Sequence, residues 1–333
     1  MSVNRLKNTT LAKRFVYIFF IVLLGFQAKG QDPHFSQFYA NPLYLGPSFA
    51  GATEGSRVAA QYRNQWYDQP SSFKTYSVSY DHYFSSFNSG VGVNFVSDVA
   101  GSSNLGVVQA GLHYSYNVQV FNIWQIRPGL SFSYLQHGIF GDVKFIDEID
   151  GPDVPGSTPA PALASARDID AGASLLTYTK GFWLGGTVDH LLRPNVSLYS
   201  TEAIIPMKIS IYGGIDVRRK GKLLKPSDDV MTFAFLYKQQ GPVQQLDIGV
   251  YWHNYPIVLG IWYRGIPGFN SQIGDALIFL AGIKTNSFNI GYSYDFTISS
   301  LLPYTRGSHE ISLTYKFLLP KRKSIGAVPC PEF

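Results

Sequence analysis

The chain has 333 residues, of which 45% are hydrophobic, 15% aromatic and only 15% charged, with a formal net charge of +5. Five of the 27 Lys and Arg fall in residues 1–30 and none of the 22 Asp and Glu do, so the remainder is formally neutral. The precursor's basic balance is therefore no argument for a nucleic-acid partner, and the single cysteine, Cys330, excludes an internal disulfide framework.

Arg5, Lys7, Lys13 and Arg14 lead into the apolar run Phe15–Phe26, and Ala28-Lys29-Gly30 closes it with small residues, the layout of a secretory signal over residues 1–30. The run would span about 18 Å as a helix, short of the roughly 20 residues that a membrane-crossing helix needs. Cleavage would leave Gln31 at the new terminus, not a cysteine, which speaks against a lipid anchor. Residues 31–56 carry prolines at 33, 42 and 47 and an Asn41-Pro42 turn signal without sustained alternation. The segment is irregular but too aromatic for a free tail. It reads as a plug tucked into a lumen, with a periplasmic docking arm as the other possibility.

From Arg57 to residue 319 the pattern changes to a period of two. In Ser287–Thr297, Phe288, Ile290, Tyr292, Tyr294 and Phe296 alternate with Asn289, Gly291, Ser293, Asp295 and Thr297. A pleated strand sends these sets to opposite faces. Thirteen further segments read as strands, which start near Arg57, Thr75, Gly90, Gly106, Ile123, Ile169, Phe182, Met207, Met231, Val243, Ile257, Ala276 and Ser308. Fourteen is an even number, as bacterial single-chain outer-membrane barrels require. With no spanning helix after Gly30, an edgeless sheet is the way to satisfy every backbone amide in hydrocarbon. The expectation is an all-β fold, a transmembrane antiparallel barrel of about 14 strands; a soluble β-sandwich also alternates and is the competing fold.

With the amino end of the barrel in the periplasm, turns such as Thr179–Gly181, Asn254–Pro256 and Thr285–Asn286 fall on the periplasmic side. Leu135–Asp168, Leu191–Pro206, Gly265–Asp275 and Ser299–Gly307 become external loops. One long basic connection breaks the rule, Arg218–Asp229, with Arg218, Arg219, Lys220 and Lys222. Together with a periplasmic tail over 320–333, which holds Lys321, Arg322, Lys323 and Cys330, it is a candidate contact for periplasmic partners. The external loop 135–168 gathers Asp147 and Asp150 in DEIDGPD, which does not fit the EF-hand spacing. Its Pro and Ala content suits a stretch that contacts a partner.

Seven histidines lie on different strands and loops without metal-ligand spacing, and no serine is singled out as a nucleophile. Neither an enzyme nor a cofactor is expected, although an outer-membrane hydrolase is the third reading of such a barrel. Arg57, Arg63, Asp295 and Glu310, with Asp247 and Arg264, fall on the inward parity. Mixed signs there imply mutual neutralisation in a filled lumen more than an ion filter, while a passive or solute-selective porin is the alternative.

Several stretches carry a family likeness. SQFYANPLYLGPSFAG at 36–51, YRNQW at 62–66, GYSYDFTISSL at 291–301, GSHEISLTYKF at 307–317 and Cys330-Pro331 resemble the PorP/SprF family of type IX secretion system membrane proteins, with HLLRPNVS at 190–197 a weaker agreement. Gly46-Pro47-Ser48 replaces the usual NPA. The resemblance implies an outer-membrane barrel of Bacteroidota that is an accessory in protein export. Its partners would be an exported cargo protein or surface adhesin, as in gliding motility, and periplasmic secretion-system components, in a lipid bilayer.

Overall fold

The computed structural model describes residues 32–53, 55–69, 72–101, 105–121, 123–140, 165–198, 202–220, 228–265, 275–299 and 305–317. Fifteen strands account for most of them: β1 (Ser56–Gln65), β2 (Phe73–Phe84), β3 (Ser89–Ala100), β4 (Leu105–Tyr116), β5 (Val118–Val120), β6 (Trp124–Ile139), β7 (Ser165–Thr179), β8 (Phe182–Asp189), β9 (Lys208–Lys220), β10 (Asp228–Gln240), β11 (Val243–Asn254), β12 (Ile257–Arg264), β13 (Ala276–Lys284), β14 (Phe288–Thr297) and β15 (Ser308–Phe317).

All pairings are antiparallel, and each strand joins its chain neighbours with one exception. β4 skips the three-residue β5 and pairs with β6, from Leu105↔Ile139 to Ser115↔Gly129. β15 returns to β1, from Ser56↔Phe317 to Gln65↔Ser308, which closes a ring of fourteen strands with β5 as an appendix on β6. Closure leaves no edge in the middle of the wall, where hydrocarbon could not hydrogen-bond it.

The faces of this ring are inverted relative to a soluble sheet. On β2, Tyr76, Val78, Tyr80 and Phe84 are exposed while Thr75, Ser77, Ser79 and Asp81 are buried. β14 repeats it, with Phe288, Ile290, Tyr292 and Phe296 outward and Asn289, Ser293, Asp295 and Thr297 inward. An apolar belt contributed by strand after strand would be costly in water at about 25 cal/mol per Å². The sandwich reading fails on this point, and the wall is a lipid-facing one.

Residues 33–53 fold as a 3-10 turn (Phe38–Ala40), a single helical turn (Pro42–Leu45) and a second 3-10 turn (Pro47–Phe49). Pro42 and Pro47 each sit in a first turn, where the missing N–H costs nothing. Every residue from Phe35 to Thr53 except Tyr44 is buried.

Two connections are shorter than the alternation suggests. β6 runs on to Ile139 and β7 starts at Ser165, so residues 135–139 and 165–168 of the stretch read as a loop belong to strands. β9 runs through Arg218, Arg219 and Lys220 and β10 starts at Asp228, so these ends of the stretch read as a basic turn belong to strands. In both places the backbone ladder continues past the lipid-facing rows, where nothing requires apolar side chains to alternate.

An arginine in place of Phe95, near the middle of β3 on the outer face, should cost about 2–4 kcal/mol of folding free energy in lipid vesicles. The same change at Tyr76, near the rim, should cost about 0–1. Denaturant titration of the refolded barrel would measure both.

Candidate functional site

The inward face of the ring and residues 33–53 form one buried contact network. Register creates its polar half. Arg63 on β1 stands opposite Glu310 on β15, and Glu310 stands opposite Ser293 on β14. Arg63 reaches Asp295 at 2.8 Å and Glu310 at 3.0 Å, and Arg264 reaches Asp295 at 2.9 Å and Asp247 at 3.4 Å. Unpaired ions in such a place would cost several kcal/mol each. Two guanidiniums and three carboxylates leave one negative charge, and Lys238 adds the third cation close to the same cluster.

The segment completes this cluster. Glu310 accepts the backbone N–H groups of Ser36 at 2.7 Å and Gln37 at 2.8 Å, while Gln61 Nε2 donates to it at 2.6 Å. Ser36 Oγ donates to Asp295 at 2.6 Å and accepts from Arg264 at 2.8 Å. Gln37 is fully buried with both ends of its amide used, donating to Ser293 at 3.0 Å and accepting from Ser312 at 2.6 Å. Arg264 and Arg63 face His34 Nε2 at 3.3 and 3.5 Å. A guanidinium only donates, so this nitrogen must be the unprotonated one. Burial, reinforced by Arg264 and Arg63, holds the imidazole pKa well below its usual range.

Further along, wall side chains take up the segment's backbone groups. Thr187 donates to Leu45 O at 2.9 Å, Ser48 N donates to Ser174 at 2.7 Å, and Ser115 donates to Ala50 O at 2.7 Å. Arg127 donates to the carbonyls of Ser48 and Ala50, and Arg57 donates to Phe49 O while paired with Asp81 at 2.8 Å. The partners of the segment sit on β1, β2, β4, β6, β7, β8, β12, β14 and β15, on opposite parts of the ring's inward face. Backbone packs on backbone at Gly90 and Gly129, where a Cβ would strike Ala50 and the Pro47-Ser48 peptide respectively.

The other half of the lumen is apolar. Phe38 meets Trp262 edge-on at 5.1 Å, Tyr39 meets Tyr251 at 4.9 Å, and Phe49 leans on Tyr212 at 5.6 Å. Leu176, Trp183, Leu236 and Ile278 extend the cluster. Glycines make room for these rings: a Cβ on Gly214 would reach Trp183, one on Gly249 would reach Trp262, and one on Gly185 would reach Tyr212. A polar-inside reading of the barrel misses this half. Its signal in the sequence is glycine on the same parity as an inward Trp or Tyr of the adjacent strand.

Of the residues singled out from sequence, Arg63, Asp295 and Glu310 come together in the buried cluster, and Arg57 lies apart with Asp81. Ser36, Gln37 and Arg127 were not anticipated. Arg218, Arg219 and Lys220 occupy the end of β9, paired with Val230, Asp229 and Asp228 of β10. β8 pairs with β9 only as far as Ile215 and β11 with β10 only as far as Val230, so this hairpin outruns both neighbours. Lys222, Lys321, Arg322, Lys323, Cys330, Asp147 and Asp150 lie outside the described residues. Among the described residues no group of His, Cys, Asp or Glu is arranged to hold a metal ion.

A closed antiparallel ring with an apolar outer belt and buried polar rows defines an outer-membrane β-barrel protein. Residues 27–315 match the family described as type IX secretion system membrane protein PorP/SprF, and the chain belongs to that family. The Pseudomonas putida toluene transporter TodX shares the fold at a TM-score of 0.50 and 11% identity, over 82% of this chain and 92% of TodX. The Acinetobacter baumannii outer membrane protein Omp33 aligns at a TM-score of 0.45 and 9% identity, over 80% of this chain and 100% of its own. A curated relative, 3-methyl-2-oxobutanoate hydroxymethyltransferase of Idiomarina loihiensis, is 24% identical over 168 residues, 49% of this chain and 57% of that protein. The match thus spans little more than half of the enzyme's length, and it carries no activity to this chain.

Truncating Glu310 to alanine removes one of the two carboxylates paired with Arg63 and frees the backbone N–H groups of Ser36 and Gln37, at a cost of about 3–5 kcal/mol. Limited proteolysis should then cut within 33–53 while the ring still shows heat-modifiable gel migration. For His34 the neutral form is the bound one. Its depressed pKa therefore stabilises the seat above the ordinary imidazole range, and that contribution fades as pH falls through it. Protease sensitivity of the segment should rise on acidification, and His34→Gln should flatten the response.

Proposed function

We propose that this barrel is a non-enzymatic accessory of type IX secretion whose lumen is plugged by its own N-terminal segment and whose two rims bind proteins. Family membership supplies the secretion context, and the buried contacts of residues 35–53 are the observation that carries the plug. A pore needs a continuous water path. Here Glu310, Arg127 and Arg57 each hydrogen-bond the segment's backbone, and its aromatic side packs against Trp262 and Tyr251. That filling favours a holder over a porin.

On this reading the loop-bearing rim holds an exported surface protein, with the acidic stretch around Asp147 and Asp150 as one contact. The opposite rim meets periplasmic parts of the machine through the projecting β9–β10 hairpin and the tail with Lys321, Arg322, Lys323 and Cys330. Residues 1–30 act as the export signal. The register supports the hairpin's assignment: β9 and β10 stay paired through Lys220 and Asp228, past the last pairs that either makes with its other neighbour.

In planar bilayers the full-length barrel should conduct little. Deleting 33–53, or inserting Gly129→Val against the Pro47-Ser48 peptide, should raise single-channel conductance severalfold. An equally high conductance from the intact chain would sink the plug. Loss of the gene should remove specific proteins from the cell surface, and an unchanged surface proteome would remove the export role.

A further inference from the structure

Among the described residues, the wall has an unpaired stretch of strand at the loop-bearing rim. β7 runs from Ser165 to Thr179 and pairs with β6 along nearly all of it, from Gln125↔Tyr178 to Gly138↔Ser165. β8 covers its other side only from Ala173 to Thr179. Beyond that point Leu191 N donates to Ala171 O, and the chain then leaves the strand path. His190 and Arg193 have φ of 59° and 52°, Asn195 N reaches Asp168 Oδ2 at 2.7 Å, and Val196 O accepts from His137 Nδ1 at 3.1 Å. Asp168 and His137 share the parity of buried Asp170, Ala166 and Leu135, so the β8–β9 loop turns toward the lumen.

What remains is the outer side of Ser165–Ile169. Five residues of strand extend roughly 17 Å, the length of an ordinary β-strand. Odd-numbered residues point their backbone groups to this side, as the Ala171 carbonyl does. Among the described residues Ile169 N–H donates only to the adjacent Asp168 carboxylate, at 2.8 Å. Among the described residues Arg167 has no strand partner there.

This edge lies clear of the hydrocarbon. Tyr134 and Ile169 are the last large apolar side chains facing outward on β6 and β7, and Gln136 and the exposed Arg167 follow them. Lipid would not tolerate free backbone groups, whereas water does, and so would a pairing strand. Native edges are commonly blunted by proline, bulges or several charges. Here one arginine stands in the outward row, with exposed Leu191, Leu192 and Ile204 on the neighbouring loop.

We propose that Ser165–Ile169 is a strand-addition site for an extended segment of an exported protein, which would continue the sheet where β8 stops. Backbone pairing supplies the affinity, and Arg167 favours an acidic residue in the cross-strand position. The proposal rests on the export reading above, which supplies the class of partner.

Proline at position 167 deletes an N–H on the open side and leaves the β6 ladder intact, a position where edge strands accept proline. The probe is the exported protein identified by co-purification with the full-length barrel, titrated onto barrel in nanodiscs. Arg167→Pro should weaken binding roughly tenfold or more with heat-modifiable migration unchanged. Without any substitution, hydrogen exchange at the Arg167 and Ile169 amides should slow when the partner binds. Unaltered affinity of a folded Arg167→Pro barrel, or unprotected amides in the wild-type complex, overturns the edge site while the export reading stands. If no exported protein binds the wild-type barrel, both fall. Self-association of the barrel through this edge would assign it to a second copy and overturn the proposal.

Discussion

Hydrocarbon offers no hydrogen bonds, and the rest of this molecule follows from that constraint. The sheet must close, and β15 pairs with β1 over ten residues to do so. A closed ring with an apolar outside then has an inside of its own to satisfy. Fourteen strands enclose more space than their own side chains fill, so the buried rows need a partner, and the chain supplies it from residues that precede the first strand. The same Glu310 that faces Arg63 across the β1–β15 seam also holds Ser36 and Gln37. Closure of the ring and filling of the ring therefore share residues, which couples the seating of the segment to completion of the last strand pair.

Two kinds of interaction divide the lumen between them. Toward β14, β15, β1 and β2, with Arg264 reaching in from β12, the carboxylates are paired with guanidiniums and each has more than one donor. Toward β7–β13 rings stack on rings and over glycines. Polar contacts fix register and direction, because a shift of one residue would strand Gln37 and the Arg127-capped carbonyls. Aromatic packing contributes area without such precision. The segment is thus held at two ends by directional bonds and along one side by burial.

How much of this could be read from the sequence depended on whether a physical rule repeated along it. β14 alternates without interruption, and β2 does so from Thr75 to Asp81, because lipid lies on one face and a polar lumen on the other, which makes strands of this kind recognisable. β12 and β13, IVLGIWYR and ALIFLAGIK, do not alternate, since their inward residues Trp262, Ile278 and Leu280 pack against the apolar half of the filling. Inward Arg63, Asp295 and Glu310 were visible from parity, but their common partner was not. Ser36 lies 274 residues from Glu310 in sequence, and nothing periodic marks a serine in an irregular stretch. Past the lipid belt the pattern loses its cause, which is why the sequence does not mark the ends of β6, β7 and β9 as strand.

Those same ends are where the molecule departs from a plain cylinder. On one rim β7 outruns β8, and on the other β9 and β10 outrun their neighbours. A strand that stops with its neighbour leaves nothing for another chain to pair with, whereas one that continues presents backbone in an ordered, extended form. In the middle of the wall every strand is paired on both sides, so any surface specific to this barrel has to be built at the rims or in the loops beyond them. Buried contacts of residues 35–53 with the wall occupy inward-facing side chains that could otherwise meet another molecule. They leave the uneven rims as the places where a secretion component could tell one partner from another.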